Sequence, residues 1–139
     1  MIRITGIDHV VLRVRDLPQM QQFYINVLGC TVERDEPEIG LYQLRAGSAL
    51  IDLVPVDSVL GRQGGQAPDP VHGHNVDHVC VRVEPFDGEA ILVYLAAHGV
   101  SAGSIESRYG AEGRGPSIYL QDPEGNTIEL KGPAAAVTV

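Results

Sequence analysis

One eight-residue pattern occurs twice in the chain. Ile7-Asp8-His9-Val10-Val11-Leu12-Arg13-Val14 matches Val76-Asp77-His78-Val79-Cys80-Val81-Arg82-Val83. Asp, His and Arg are identical at corresponding places, and the remaining positions stay apolar. A second echo pairs Ile51-Asp52-Leu53 with Ile128-Glu129-Leu130. Internal repetition constrains a fold more than composition does, because both copies must solve the same packing problem. The chain therefore reads as two copies of one unit.

Both copies show the same order of elements. A period-two strand opens each, at 7–14 and 76–83. A helix follows, at 18–28 and 87–98. Asp16 and Pro18 form the first helix entry, and Pro85 and Asp87 the second. Gly29 and Gly99 stand where a helix C-terminus wants a glycine. Three strands then complete each copy, at 30–36, 41–46 and 49–55 and at 101–108, 116–121 and 127–131. Turn residues separate them, among them Gly47 and Asp122-Pro123-Glu124-Gly125. Residues 56–75 are rich in Gly and Pro without periodicity and read as a loop. The expected organisation is a first βαβββ module at 1–55, a linker at 56–75, a second module at 76–131 and a C-terminal extension at 132–139. The fold class is α+β: a curved mixed sheet with helices outside and a concave inner face.

Composition narrows the partners. The net charge is −8, whereas a phosphate-backbone binder needs a basic face. Aromatic residues make up 5% and Trp is absent, which argues against base stacking. No apolar run reaches the roughly 18 residues that span a bilayer. The first residues lack the apolar core of a signal peptide. Cys30 and Cys80 are too few for a disulfide scaffold. These features predict a cytoplasmic protein with a small-molecule ligand, without nucleic acid or membrane.

Strand alternation assigns the faces. Val10, Leu12 and Val14 share one side of the first strand, and His9, Val11 and Arg13 the other. In the second copy, Val79, Val81 and Val83 oppose His78, Cys80 and Arg82. The all-apolar side should pack on its helix, so His9 and His78 point away from the helices. In the last strands Asp52 and Glu129 alternate with apolar neighbours and fall on that same side, the concave face away from the helices. Two imidazoles and two carboxylates are a ligand inventory for a first-row divalent ion with open positions. Two buried carboxylates side by side also resist joint ionisation unless a cation is present. His98 ends a helix, where a cation suits the dipole. His72 and His74 belong to the linker and read as solvated loop residues, and Cys80 as a packing residue.

This arrangement resembles the vicinal oxygen chelate superfamily, which includes glyoxalase I, fosfomycin-resistance enzymes, methylmalonyl-CoA epimerase, extradiol dioxygenases and bleomycin-binding proteins. The resemblance runs from about residue 6 to 131. It rests on His9 followed by Phe23-Tyr24 and Leu28-Gly29, on Val76-Asp77-His78-Val79, and on the run Tyr119 to Glu129, YLQDPEGNTIE. It implies a divalent metal ion (Ni, Zn, Mn or Fe) held by His9, His78 and Glu129. Asp52 takes the place of a fourth ligand, or acts through a water or as a base. Tyr119 falls where some members contact substrate near the metal. Arg13, Arg82 and Arg114 are candidate substrate-binding cations, with Arg13 and Arg82 equally suited to pair with the carboxylates.

Departures from known patterns limit the subfamily. Met20, Cys30 and Asp77 differ from what glyoxalase I carries at those places. A ring-cleaving dioxygenase would need a His several residues before Tyr119, where this chain has Tyr109-Gly110-Ala111-Glu112. Arg108 and Arg114 are the cations available for a phosphonate. The resemblance implies a metal-dependent lyase, isomerase or transferase on a small oxygenated metabolite, with Glu129 or Asp52 as proton carrier. A non-catalytic drug-binding protein and an extradiol-type dioxygenase are the alternatives. It further implies a homodimer.

Overall fold

The computed structural model describes residues 1–135. The chain divides into two compact units, Met1–Asn75 and the chain from Val76 onward.

The first unit holds β1 (His9–Val14), α1 (Leu17–Gln22), a π-helical turn (Phe23–Val27), β2 (Thr31–Glu36), β3 (Leu41–Ala46), β4 (Ala49–Pro55) and α2 (Val59–Arg62). The second holds β5 (Val79–Arg82), α3 (Gly88–Ala97), β6 (Glu106–Gly110), β7 (Gly113–Gln121) and β8 (Thr127–Lys131). Each unit forms an open four-stranded mixed sheet, ordered β1-β4-β3-β2 and β5-β8-β7-β6. The first and last strands of each unit pair in parallel. A parallel pair needs a crossover, which the helix after the first strand supplies. The carboxylate-bearing strands β4 and β8 thus lie inside their sheets, beside the histidine-bearing strands.

Helix entries follow the sequence signals. Asp16 caps α1 by accepting from the Gln19 amide, and Asp87 caps α3 by accepting from the Ala90 amide. The apolar faces pack as alternation predicts. In the first unit Leu12, Val14, Leu44 and Leu53 are buried with Met20, Phe23 and Tyr24 from the helical segment. In the second, Ile118, Leu120 and Ile128 are buried with Leu95 of α3.

Several boundaries differ from the sequence reading. The helix expected at 18–28 becomes α-helical only to Gln22 and then widens into the π-helical turn. The strand expected at 101–108 starts at Glu106, with one isolated bridge, Ala102 to Leu120, before it. Ala102, Gly103 and Ser104 offer no branched side chains to hold a ladder there. Strand β7 begins at Gly113 rather than 116, because the β6–β7 turn is tight.

The linker 56–75 is more structured than a loop. Ser58 caps α2 through the Gly61 amide. A side chain at Gly61 would meet the Pro55 carbonyl oxygen at 1.9 Å, so only glycine lets the helix close onto β4. Asn75 bonds both backbone groups of Arg13, fastening the linker to β1. Asp69 accepts from the amides of Val71 and His72, which gathers residues 69–73 into a turn. At the other end, the amides of Gly132 and Ala135 bond the carbonyls of Pro116 and Arg114, extending the path of β8 along β7. The rest of the expected 132–139 extension lies outside the described residues. No helix among the described residues is long and apolar enough to cross a membrane.

Candidate metal and substrate site

Each unit places one histidine beside one buried carboxylate. In the first, His9 Nε2 lies 3.9 Å from Asp52 Oδ2, and Asp52 is 2% exposed. In the second, His78 Nε2 lies 3.4 Å from Glu129 Oε1, and Glu129 is 6% exposed. The register explains the match: Val11 opposes Asp52 and Cys80 opposes Glu129, and each histidine stands two residues before on the same face.

Both histidines are braced alike. His9 Nδ1 donates to Asp8 Oδ1 at 2.7 Å, and His78 Nδ1 donates to Asp77 Oδ1 at 2.6 Å. An ionised carboxylate only accepts, so Nδ1 carries the proton and a neutral ring presents a lone pair at Nε2. That lone pair faces a second acceptor, Asp52 or Glu129. A proton on Nε2 or a metal cation reconciles the two, and a carboxylate behind a histidine is the usual support of a metal ligand. The Asp8 hydrogen bond, foremost, and the charge of Asp52 raise the His9 pKa against the opposing effect of desolvation. Each unit therefore offers two donors of the kind a divalent ion takes. Among the described residues, no group of three or more His, Cys, Asp and Glu gathers at metal-holding spacing. The structure assembles the four sequence-predicted ligands as two pairs.

The third strand completes each pair. Gln43 on β3 opposes Asp52, and its Nε2 donates to Asp52 Oδ2 at 3.2 Å. Tyr119 on β7 occupies the corresponding place opposite Glu129. Its ring meets His78 edge-on, with centroids 5.5 Å apart, and the Arg108 guanidinium sits 4.3 Å from the ring centroid. Desolvation, and then Glu129 as acceptor and charge, raise the Tyr119 pKa, so the phenol stays protonated and donating. Sequence reasoning missed Gln43. The signal was present: Gly47-Ser48 closes a two-residue turn, and counting back from it sets position 43 opposite 52.

The arginines are engaged elsewhere. Arg13 donates to the carbonyls of Gly65 and Gln66 in the linker. Arg114 donates to the Ser107 carbonyl, and Arg82 pairs with Glu112 at 3.0 Å. His98 Nδ1 bonds the Tyr94 carbonyl, and His72 pairs with Asp69.

A cleft of about 300 Å³ opens on this face of the second unit, bounded by His78, Cys80, Arg82, Tyr109, Glu129 and Lys131. Cys80 is exposed and Cys30 buried. Partial burial, and then Glu129, push the Cys80 thiol above its ordinary pKa. A raised pKa leaves less thiolate at a given pH, and thiolate is the reactive form. Iodoacetamide should therefore label Cys80 more slowly than a free cysteine at pH 7.5, with the rate still climbing above the ordinary thiol value of about 8.5. Cys30 should label only on unfolding. Mass spectrometry of alkylation against pH checks this; a Cys80 rate that levels off below pH 8 would contradict it.

Comparison with known proteins places the chain. Residues 6–130 match the family model described as Glyoxalase/Bleomycin resistance protein/Dioxygenase superfamily. The virulence protein STM3117 of Salmonella typhimurium is 28% identical over 132 residues, covering 91% of this chain and 83% of that protein. The crystal structure of STM3117 superposes with a TM-score of 0.80 at 25% identity, covering 96% of this chain and 100% of that one. A structure from the mobile metagenome of V. Pseudocholerae, VPC_CASS1, gives 0.81 at 26% identity over 97% and 99%. A lactoylglutathione lyase from Agrobacterium tumefaciens shares the fold, with a TM-score of 0.67 at 20% identity over 93% and 94%.

Proposed function

Because the chain belongs to the glyoxalase/bleomycin resistance protein/dioxygenase superfamily, we propose that it is a metal-dependent enzyme of the glyoxalase type. Its substrate is a small oxygenated metabolite, and its reaction that of a lyase, isomerase or transferase. The observation that carries this reading is the repeated pairing of a braced histidine with a buried carboxylate, His9 with Asp52 and His78 with Glu129. A fold needs no such pair twice, and each pair leaves an acceptor facing an acceptor until a cation joins it.

His9, His78 and Glu129 would hold the ion, with Asp52 as a fourth ligand or as the base. Bound there, a divalent ion supplies Lewis acidity that stabilises an oxyanion or enolate on the substrate. The chain's own groups do the rest. Asp8 and Asp77 keep the imidazole Nδ1 atoms protonated and the rings oriented. Gln43 holds Asp52, whose free lone pairs can accept a substrate proton and return it. The Tyr119 hydroxyl, kept protonated, is a donor to a substrate oxygen. Arg108 stacks on that ring and fixes its position. The family resemblance extends the proposal to a homodimer, and the low cysteine content extends it to a reducing cytoplasm.

Elemental analysis of the purified protein, and of protein reconstituted with Ni, Zn, Mn and Fe(II), tests the reading. The expected result is about one ion per chain, the ratio that the family resemblance implies. Failure to bind any of these ions would overturn the enzyme reading and leave a small-molecule binder on a metalloenzyme fold.

A further inference from the structure

We propose that the second unit carries an anion-binding subsite centred on Lys131, so that the metabolite bound there bears a carboxylate or phosphate group. This deepens the proposed function and rests on it for the reaction, though not for the binding itself.

The register arranges two rows of side chains on the face turned away from α3. One row is Cys80, Glu129 and Tyr119; the next is Arg82, Lys131 and Ser117. The rows are two residues apart along the strands, about 7 Å. The first row belongs to the candidate metal end of the cleft. The second is cationic. Arg108 adds a further guanidinium, donating to Ser117 Oγ at 2.7 Å.

Lys131 is 7% exposed, and its ammonium makes no hydrogen bond or ion pair with any described residue. No buried side-chain nitrogen among the described residues is sealed off without a partner. The ammonium therefore opens into the cleft it lines. Glycines make room for its arm: a Cβ on Gly110 would approach Lys131 Cε to 2.9 Å.

The repeat supplies the control. Val54 stands in the first unit where Lys131 stands in the second, two residues beyond the carboxylate, and it is buried without any charge. The fold thus accepts an apolar side chain at this position. A lysine held there loses hydration and gains no protein counter-ion, which selection for stability alone would not favour. An anionic ligand supplies that counter-ion. Glu112 at the cleft mouth occupies Arg82, and its exposed carboxylate is the group an incoming anion would displace.

The test is an amide-resolved NMR titration of the full chain, stripped of metal with a chelating resin, using sodium phosphate in one arm and sodium succinate in the other. Ionic strength is held constant with chloride. Saturable shifts at Tyr109, Gly110 and Lys131 are expected, and the salt with the lower midpoint names the group. Lys131→Met should weaken the midpoint about tenfold or more, the usual worth of a charge-assisted hydrogen bond. Glu112→Gln should tighten it by freeing Arg82, and this holds the proposal to account if the lysine variant does not fold. Glu38→Gln, an exposed charge removed from the first unit, should change nothing. The proposal is overturned if neither salt saturates at these amides, or if Glu112→Gln and Lys131→Met leave the midpoint where it was. Because the protein is metal-free, this outcome is independent of whether the ion analysis succeeds.

Discussion

Replacing Glu129 by Gln is expected to lower divalent-metal affinity by at least about 100-fold, the upper range seen for losing even a supporting group of a metal site. The same change should leave the metal-free protein as stable as before, or more stable, at alkaline pH. The two effects have opposite signs for one reason. Glu129 is buried, and its Oε1 faces His78 Nε2 at 3.4 Å. With Asp77 holding the proton on Nδ1, the neutral ring has only a lone pair to offer there. A glutamine keeps an acceptor for Tyr119 and adds an N–H that can donate to the imidazole. It also removes a buried charge. A gain of about 1 kcal/mol is the scale of one such hydrogen bond. Isothermal titration with Zn or Ni and thermal melts of the apo forms check both signs. If Glu129→Gln bound metal like the wild type, or lost several kcal/mol of apo stability, Glu129 would be a structural acid rather than a ligand.

The faces were legible because two periodicities agreed. Alternation put His9 opposite Leu12 and Val14, and the repeat put His78 in the same relation to its strand; the structure buries Leu12 and Val14 and half-buries Val79 and Val81. Asp52 and Glu129 were legible for the same reason. Gln43 and Lys131 were not, since each matters only through its cross-strand neighbour, which depends on register. The partners that the arginines take were not legible, because a long flexible side chain reaches across turns and linkers whose paths carry no period. Arg13 reaches the linker carbonyls of Gly65 and Gln66, which no pattern in the strand announces. Helix α2 escaped notice likewise: Val59–Arg62 is one turn, too short for a hydrophobic period, and only Ser58 ahead of it marks a cap. The strand at 101–108 shifted because small residues set no pairing.

Asp122→Ala is expected to cost about 2–4 kcal/mol, a drop in melting temperature on the order of 10 °C. The turn between β7 and β8 is closed by two backbone hydrogen bonds, Asp122 amide to Asn126 carbonyl and Gly125 amide to Asp122 carbonyl, and braced by this side chain. Its Oδ1 accepts the amides of Glu124 and Asn126, and its Oδ2 accepts Asn126 Nδ2 at 2.8 Å. Asp122 and Asn126 are both buried, so alanine leaves donors stranded rather than solvated. Gly125, at φ 85°, completes the turn in a conformation few other residues adopt. Asparagine at 122 should cost less, about 1–2 kcal/mol, because it keeps one oxygen for the amides while losing the bond to Asn126 Nδ2. The turn also sets which residue of β7 opposes Glu129. Loosening it allows Tyr119 to drift from that partner, so metal affinity should fall together with stability in the alanine variant and recover partly in the asparagine one. Urea melts alongside metal titrations of the two variants separate the cases. An alanine variant within about 0.5 kcal/mol of wild type, the scatter of ordinary surface changes, would mean that the strands hold their register without the turn. The sequence run from Tyr119 to Glu129 would then owe its form to the site alone.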